Sequence, residues 1–280
     1  MSSRAPAVAE PPLRALSLLL ELESLMSYAI YPSLVNKNVV ITGGGSGIGA
    51  AIVEGFAKQG ARVTFLDIAR ADAEALAASL GECVHPPIFR YCDLRDIDAL
   101  NTTFSDIEAD TGPIEVLINN AANDDRHQIG TVTQTYWDNR IEVNLRHQFF
   151  CAQAALPSMK KLGRGVILNL GSISWHLAQA DLAIYMTAKA GIEGLTRGLA
   201  RDLGGFGIRV NCIVPGAVRT PRQMALWQSP ESEAKLLAEQ CLHERVEPEH
   251  VARMALFLAS DDAARCSARE YFVDAGWYGG

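Results

Sequence analysis

Short apolar runs and longer stretches of helical periodicity alternate along the chain. The apolar runs cover residues 38–42, 62–67, 87–92, 115–119, 165–171, 209–214 and 271–273. Within them Val, Ile, Leu and Phe fall on consecutive positions rather than alternating with polar residues. That pattern predicts strands buried on both faces, as in a parallel sheet. Between them, residues 48–59, 72–80, 96–110, 135–162, 185–203 and 249–259 repeat their apolar positions at helical spacing. Asp96 is placed to cap its helix, and Gly60 follows the last periodic residue of the first one. Strand and helix in strict alternation predict an α/β fold: a Rossmann-like, doubly wound parallel sheet in a single domain. That domain is expected over residues 28–280, since no repeat, linker or low-complexity segment interrupts it. Residues 1–27 are a Pro/Ala-rich, then Leu-rich stretch broken by Glu21 and Glu23. They read as a flexible extension, of which residues 1–25 are expected to be dispensable for activity.

With 280 residues, 49% of them hydrophobic, the chain suffices for one large core. The net charge of −7 argues against nucleic acid or an anionic membrane as partner. No run of 18 apolar residues offers a transmembrane helix. The six cysteines show neither C-x-x-C spacing nor a zinc-type arrangement with histidine. Free thiols in a reducing cytoplasm and no metal site are therefore expected.

The first predicted strand runs into Gly43-Gly44-Gly45-Ser46-Gly47-Ile48-Gly49, and an amphipathic helix follows. A strand, a glycine turn and a helix N-terminus form an anion site suited to a pyrophosphate. Gly45, Gly47 and Ala50 also fit the general dinucleotide fingerprint. The second strand ends at Asp67, 18 residues past Gly49. A carboxylate there accepts hydrogen bonds from the adenosine ribose and repels a 2′-phosphate, which favours NAD over NADP. Arg70 lies near enough in sequence to weaken that preference.

Tyr185 and Lys189 are four residues apart, on one face of a predicted helix. A nearby ammonium, together with the positive nicotinamide of the oxidised cofactor, is expected to favour the phenolate, so that Tyr185 can take a proton from a hydroxyl substrate. Ser172 stands just past a strand end, where ligands bind in such sheets, and its hydroxyl can hold the reacting oxygen.

These residues, in this order, resemble the short-chain dehydrogenase/reductase family over essentially all of residues 37–280. Its T-G-x-x-x-G-x-G motif matches Thr42, Gly43, Gly47 and Gly49. The resemblance implies that Asp93 and Leu94 meet the adenine, and that Asn120 and Ala121 belong to its N-N-A-G motif. It likewise implies that Pro215, Gly216, Val218 and Thr220 form the nicotinamide-side loop. It also makes Asn144, Ser172, Tyr185 and Lys189 the catalytic set, with Lys189 gripping the nicotinamide ribose and Asn144 holding a water. Two departures occur: Ala122 replaces a glycine, tolerable if its φ is negative, and Asp274-Ala275-Gly276 stands where D-G-G is common.

Residues 123–127, 144–147, 171–177 and 274–277 resemble those of bacterial aldose 1-dehydrogenases in the family. That implies oxidation of a sugar's C1 hydroxyl to the aldonolactone, with D-xylose favoured and L-arabinose or D-galactose next. Asn123, Ser172, Trp175, His176 and Tyr185 are the expected substrate contacts, although His127, His147 and His176 suit structural roles equally well. The family also implies a homotetramer. A reductase for a ketone or acyl thioester and an inactive dinucleotide sensor are the competing readings. The second is opposed by an intact set at Asn144, Ser172, Tyr185 and Lys189.

Overall fold

Seven strands pair in parallel: β1 (Asn38–Thr42), β2 (Arg62–Asp67), β3 (Ile88–Tyr91), β4 (Val116–Asn119), β5 (Gly165–Leu170), β6 (Ile208–Pro215) and β7 (Glu270–Val273). Their spatial order is β3-β2-β1-β4-β5-β6-β7. This computed structural model describes residues 29–227 and 229–280, and Tyr31–Gly280 form one compact unit. The extension expected over residues 1–27 lies outside the described residues.

Every residue of β1, β4 and β5 is buried, as the continuous apolar runs require. β3 departs from the expectation of burial on both faces. It is an edge strand with a single neighbour, and Ile88 and Tyr91 are 40% and 52% exposed. The strand order reverses between β1 and β4, which opens a crevice at their carboxyl ends.

Helices cover both faces. They are α1 (Gly47–Lys58), α2 (Arg70–Ser79), α3 (Ile97–Thr111), α4 (Gln134–Ile141), α5 (His147–Leu162), α6 (Ile173–His176), α7 (Ala183–Leu203), α8 (Pro221–Trp227), α9 (Pro230–Glu239) and α10 (Pro248–Ala259). Asp96 caps α3 by accepting the Ala99 N–H at 3.0 Å. Phe104 and Ile107 of α3 pack with Cys151, Ala155 and Met159 of α5 in one core cluster. Ile52, Val53 and Phe56 of α1 are fully buried, as are Val251 and Ala255 of α10, which packs against α1.

The single helix expected over residues 135–162 is instead interrupted. A π-helical turn, Glu142–Arg146, separates α4 from α5. Such a turn inserts an extra residue and rotates a side chain out of helical register. The side chain affected here is Asn144, which is fully buried and donates its Nδ2 hydrogen to the Arg140 carbonyl at 2.9 Å.

Candidate active site

The loop between β1 and α1 is shaped by backbone proximity. Gly49 lies so close to Gly43 that a Cβ would stand 1.9 Å from its carbonyl oxygen. Gly43 itself has φ +64 and faces the Ala121 backbone, so neither position accepts a side chain. Asn120 stitches this loop to the end of β4: its Nδ2 donates to the carbonyls of Thr42 (3.1 Å) and Gly43 (2.7 Å). Thr42 Oγ1 accepts the N–H groups of Asn120 and Ala121 at 3.0 and 3.2 Å.

Ser46, at the N-cap of α1, makes no side-chain cap bond. The dipole-positive end of this helix is thus left for an anion. Asp67 Oδ2 accepts the Gly45 N–H at 2.8 Å, and Oδ1 accepts the Ala69 N–H at 2.8 Å. The carboxylate is thereby clamped beside the glycine loop with lone pairs to spare. These features fit a nicotinamide dinucleotide, the cofactor class of the matching family. Arg70 is engaged elsewhere, over the Tyr91 ring and 3.7 Å from Glu74. Asp93 holds Arg95 in a bidentate pair, which keeps its carboxyl below the usual range. Leu94 is buried beside it.

A cavity of about 590 Å³ opens at the carboxyl ends of the strands. Ile48, Asn120, Ser172, Tyr185, Lys189 and the loop Pro215, Gly216, Val218 and Thr220 all line it. Ser172 N-caps α6 through the Ser174 N–H at 3.2 Å and donates its hydroxyl hydrogen to Ser174 Oγ at 2.9 Å. Lys189 is 1% exposed, donates to the Leu170 carbonyl at 2.7 Å, and sits 5.5 Å from the centre of the Tyr185 ring.

Within the protein alone the electrostatics of this cluster oppose the phenolate. Burial raises the Tyr185 pKa, the nearby charge of Asp124 raises it further, and the Ser172 hydroxyl works the other way. Burial lowers Lys189 itself to about 8, against opposing contributions from Cys212 and Asp124. Desolvation outweighs a one-turn ion–dipole attraction in so enclosed a site.

Asn144 lies outside the cavity wall. Its Oδ1 accepts the Asn123 N–H at 2.8 Å, so it anchors the loop after β4. Asn123 spends its own side chain on the Asp125 N–H at 2.9 Å. Trp175 and His176, expected at the substrate, do not line the cavity. Both donate toward Glu193 Oε1 on α7, at 2.8 and 2.9 Å, because a buried carboxylate demands partners. His147 is fully buried against the Ala121 carbonyl at 3.1 Å, and burial holds its pKa down at about 4. His127 likewise faces the Ile184 N–H.

The cavity wall also includes polar residues that had no individual mark in the sequence, among them Asp124, Gln179, Gln223 and Trp277. Asp124 and Trp277 lie within residues 123–127 and 274–277, but nothing local marks which side chain of a segment faces inward. Ala122 has no positive φ, so its substitution is accommodated. Ala275, by contrast, adopts φ 57, a left-handed conformation suited to the glycine common there. Among the described residues no group of three or more His, Cys, Asp or Glu is placed to hold a metal, and no helix is long and apolar enough to cross a membrane. The six cysteines are free.

A family model described as enoyl-(acyl carrier protein) reductase matches residues 43–278. D-xylose 1-dehydrogenase of Caulobacter vibrioides is 58% identical over 252 residues, covering 90% of this chain and all of that one. A Rhizobium meliloti protein named "Probable galactose dehydrogenase GalD" is 45% identical, covering 88% and 96%. Among solved structures, a chain described as a short-chain alcohol dehydrogenase of Sinorhizobium meliloti superposes with a TM-score of 0.84 at 27% identity, covering 88% and 98%.

Proposed function

This chain belongs to the short-chain dehydrogenase/reductase family, and from that premise we propose that it oxidises the C1 hydroxyl of an aldose to the aldonolactone with NAD. D-xylose is the favoured substrate, with L-arabinose and D-galactose next. The observation that carries this reading is the Ser172–Tyr185–Lys189 cluster opening onto a cavity walled by carboxylate, amide and indole. Polar edges suit sugar hydroxyls and an aromatic face suits sugar C–H surface. An acyl thioester calls for a greasier wall than Asp124, Gln179 and Gln223 provide.

The bound cofactor supplies the hydride acceptor. Ser172 orients the C1 oxygen by hydrogen bonding, and Tyr185 accepts its proton as the C1–H bond breaks. Because burial holds the phenol neutral, Tyr185 works only while positive charge stands near it. Lys189 supplies part of that charge and is the residue that would hold the nicotinamide ribose. Asn144, through the Asn123 N–H, fixes the loop beside the reacting centre, and by family resemblance holds a water that returns the proton to solvent. Asp67 would hold the adenosine ribose. Its clamped carboxylate supports NAD over NADP, and Arg70 is occupied by Tyr91 and Glu74. Pro215, Gly216, Val218 and Thr220 would border the nicotinamide, and Asp93 and Leu94 the adenine.

The test is a panel of aldoses with NAD and with NADP, followed by the absorbance of reduced nicotinamide. Oxidation of D-xylose with NAD is the expected result; failure with every aldose would overturn the reading.

A further inference from the structure

One carboxylate in the cavity wall takes no part in the proton transfer. Asp124 follows Asn123, whose N–H is pinned to the buried Asn144 at 2.8 Å. That bond ties the residue before Asp124 to the π-helical turn. Each of its oxygens accepts one hydrogen bond from α8: Oδ1 from Arg222 Nε at 3.0 Å, Oδ2 from Gln223 Nε2 at 2.7 Å. Arg222 also reaches Asp125 at 2.6 Å, so α8 does not hang on Asp124 alone. The Asp124 side chain is 21% exposed, and it shares the cavity wall with Ser172, Tyr185 and Gln223.

This placement works against the chemistry that the site performs. A negative charge near Tyr185 opposes the phenolate, and its influence is felt at both Tyr185 and Lys189. Anchoring α8 does not require it, because Asp125 already binds Arg222. What a carboxylate offers is acceptor capacity: it has about four lone-pair sites, and α8 uses two. The others are available to a hydroxyl donor in the cavity, and bonds to a charged acceptor are the strong ones.

Resting on the aldose reading, we infer that Asp124 is a specificity-determining residue: it accepts a hydrogen bond from the hydroxyl on the carbon next to the reacting one. Ser172 and Tyr185 hold the oxygen at C1; Asp124, on the same wall, takes the hydroxyl at C2. The substrate class is thus narrowed to sugars that carry a 2-hydroxyl. A substrate lacking it leaves a desolvated carboxylate short of a donor, which is where such sites discriminate most sharply.

The experiment compares kcat/KM for D-xylose and 2-deoxy-D-xylose in the wild type, Asp124→Ala and Arg222→Ala. The wild type is expected to prefer D-xylose by about 10- to 100-fold, the range of a hydrogen bond to a charged group. Asp124→Ala should lose D-xylose activity selectively and bring the two substrates within about threefold, since the discriminating bond is gone. Arg222→Ala loosens α8 but keeps the carboxylate, so both substrates should fall together and their ratio persist. An unchanged ratio in Asp124→Ala would show that Asp124 only latches α8 and would overturn the inference. A wild type that oxidises both sugars equally well would overturn it without any variant. Should Asp124→Ala not fold, Asp124→Asn keeps the side-chain outline and must still reduce the ratio. Failure of the wild type on every aldose overturns the aldose reading itself, a result distinct from a lost or unchanged ratio.

Discussion

Lys189 is buried, charged and held by a single carbonyl, and this has a measurable cost. Its pKa falls from 10.5 to about 8 on folding, chiefly through desolvation. A base whose folded pKa is depressed binds its proton less tightly in the folded state. The resulting destabilisation is fully present below about pH 8 and fades as pH rises toward 10.5. Linkage puts it at about 3 kcal/mol at pH 7 and about 2 kcal/mol at pH 9. Replacing Lys189 by Met keeps the volume and removes the charge, at the pH-independent cost of the bond to Leu170, about 1–2 kcal/mol. The variant is therefore expected to be inactive yet more stable than the wild type at pH 7 by about 1 kcal/mol. Between pH 7 and 9 the wild type should recover about 1 kcal/mol relative to the variant, roughly 2–4 °C in Tm for a chain of this size. The neighbours do not blur the comparison: His147 titrates near 4 and Cys212 is pushed up to about 12. Thermal denaturation of both proteins at pH 7 and 9, without added nucleotide, reads it directly. A stability difference that stays constant across that interval would refute the reasoning.

Tyr185→Phe removes the proposed base while keeping the ring, so turnover should fall by about 10²-fold or more with NAD affinity nearly unchanged; near wild-type oxidation of aldoses would remove the centre of the mechanism. Asp67→Ser should weaken NAD use and improve NADP use in steady-state kinetics, and a wild type that already prefers NADP would contradict the role given to Asp67. Ala275→Gly relieves a left-handed alanine at φ 57, and after the entropy that glycine gains on unfolding it should stabilise by about 0.5–1 kcal/mol in thermal denaturation. A lowered Tm would show that Ala275 carries no strain. In light scattering at micromolar concentration we expect a tetramer, a state supported by the half-exposed Trp137 on α4 and Phe149 on α5; a monomer would count against it.

What the chain determined locally was readable from it. Continuous apolar runs predicted buried parallel strands because a strand flanked by helices has no polar face. The glycines of residues 43–49 announced a backbone cradle because their crowding forbids side chains, and it is the Gly43 carbonyl that Gly49 would strike. Tyr185 and Lys189 met because four residues make one helical turn. Tertiary structure decided the rest. Trp175 and His176 read as sugar contacts, but the four-residue α6 can turn either way, and Glu193, on a different helix, captured both. The break at Asn144 was not read from the periodicity, since a π-helical turn adds only one residue and the apolar spacing on either side of it still reads as helix. Asp124 gained its place through Arg222 and Gln223, nearly a hundred residues away. The direction of the pKa shifts at Tyr185, Lys189 and His147 followed from burial, a property of the packed chain that no spacing along the sequence encodes.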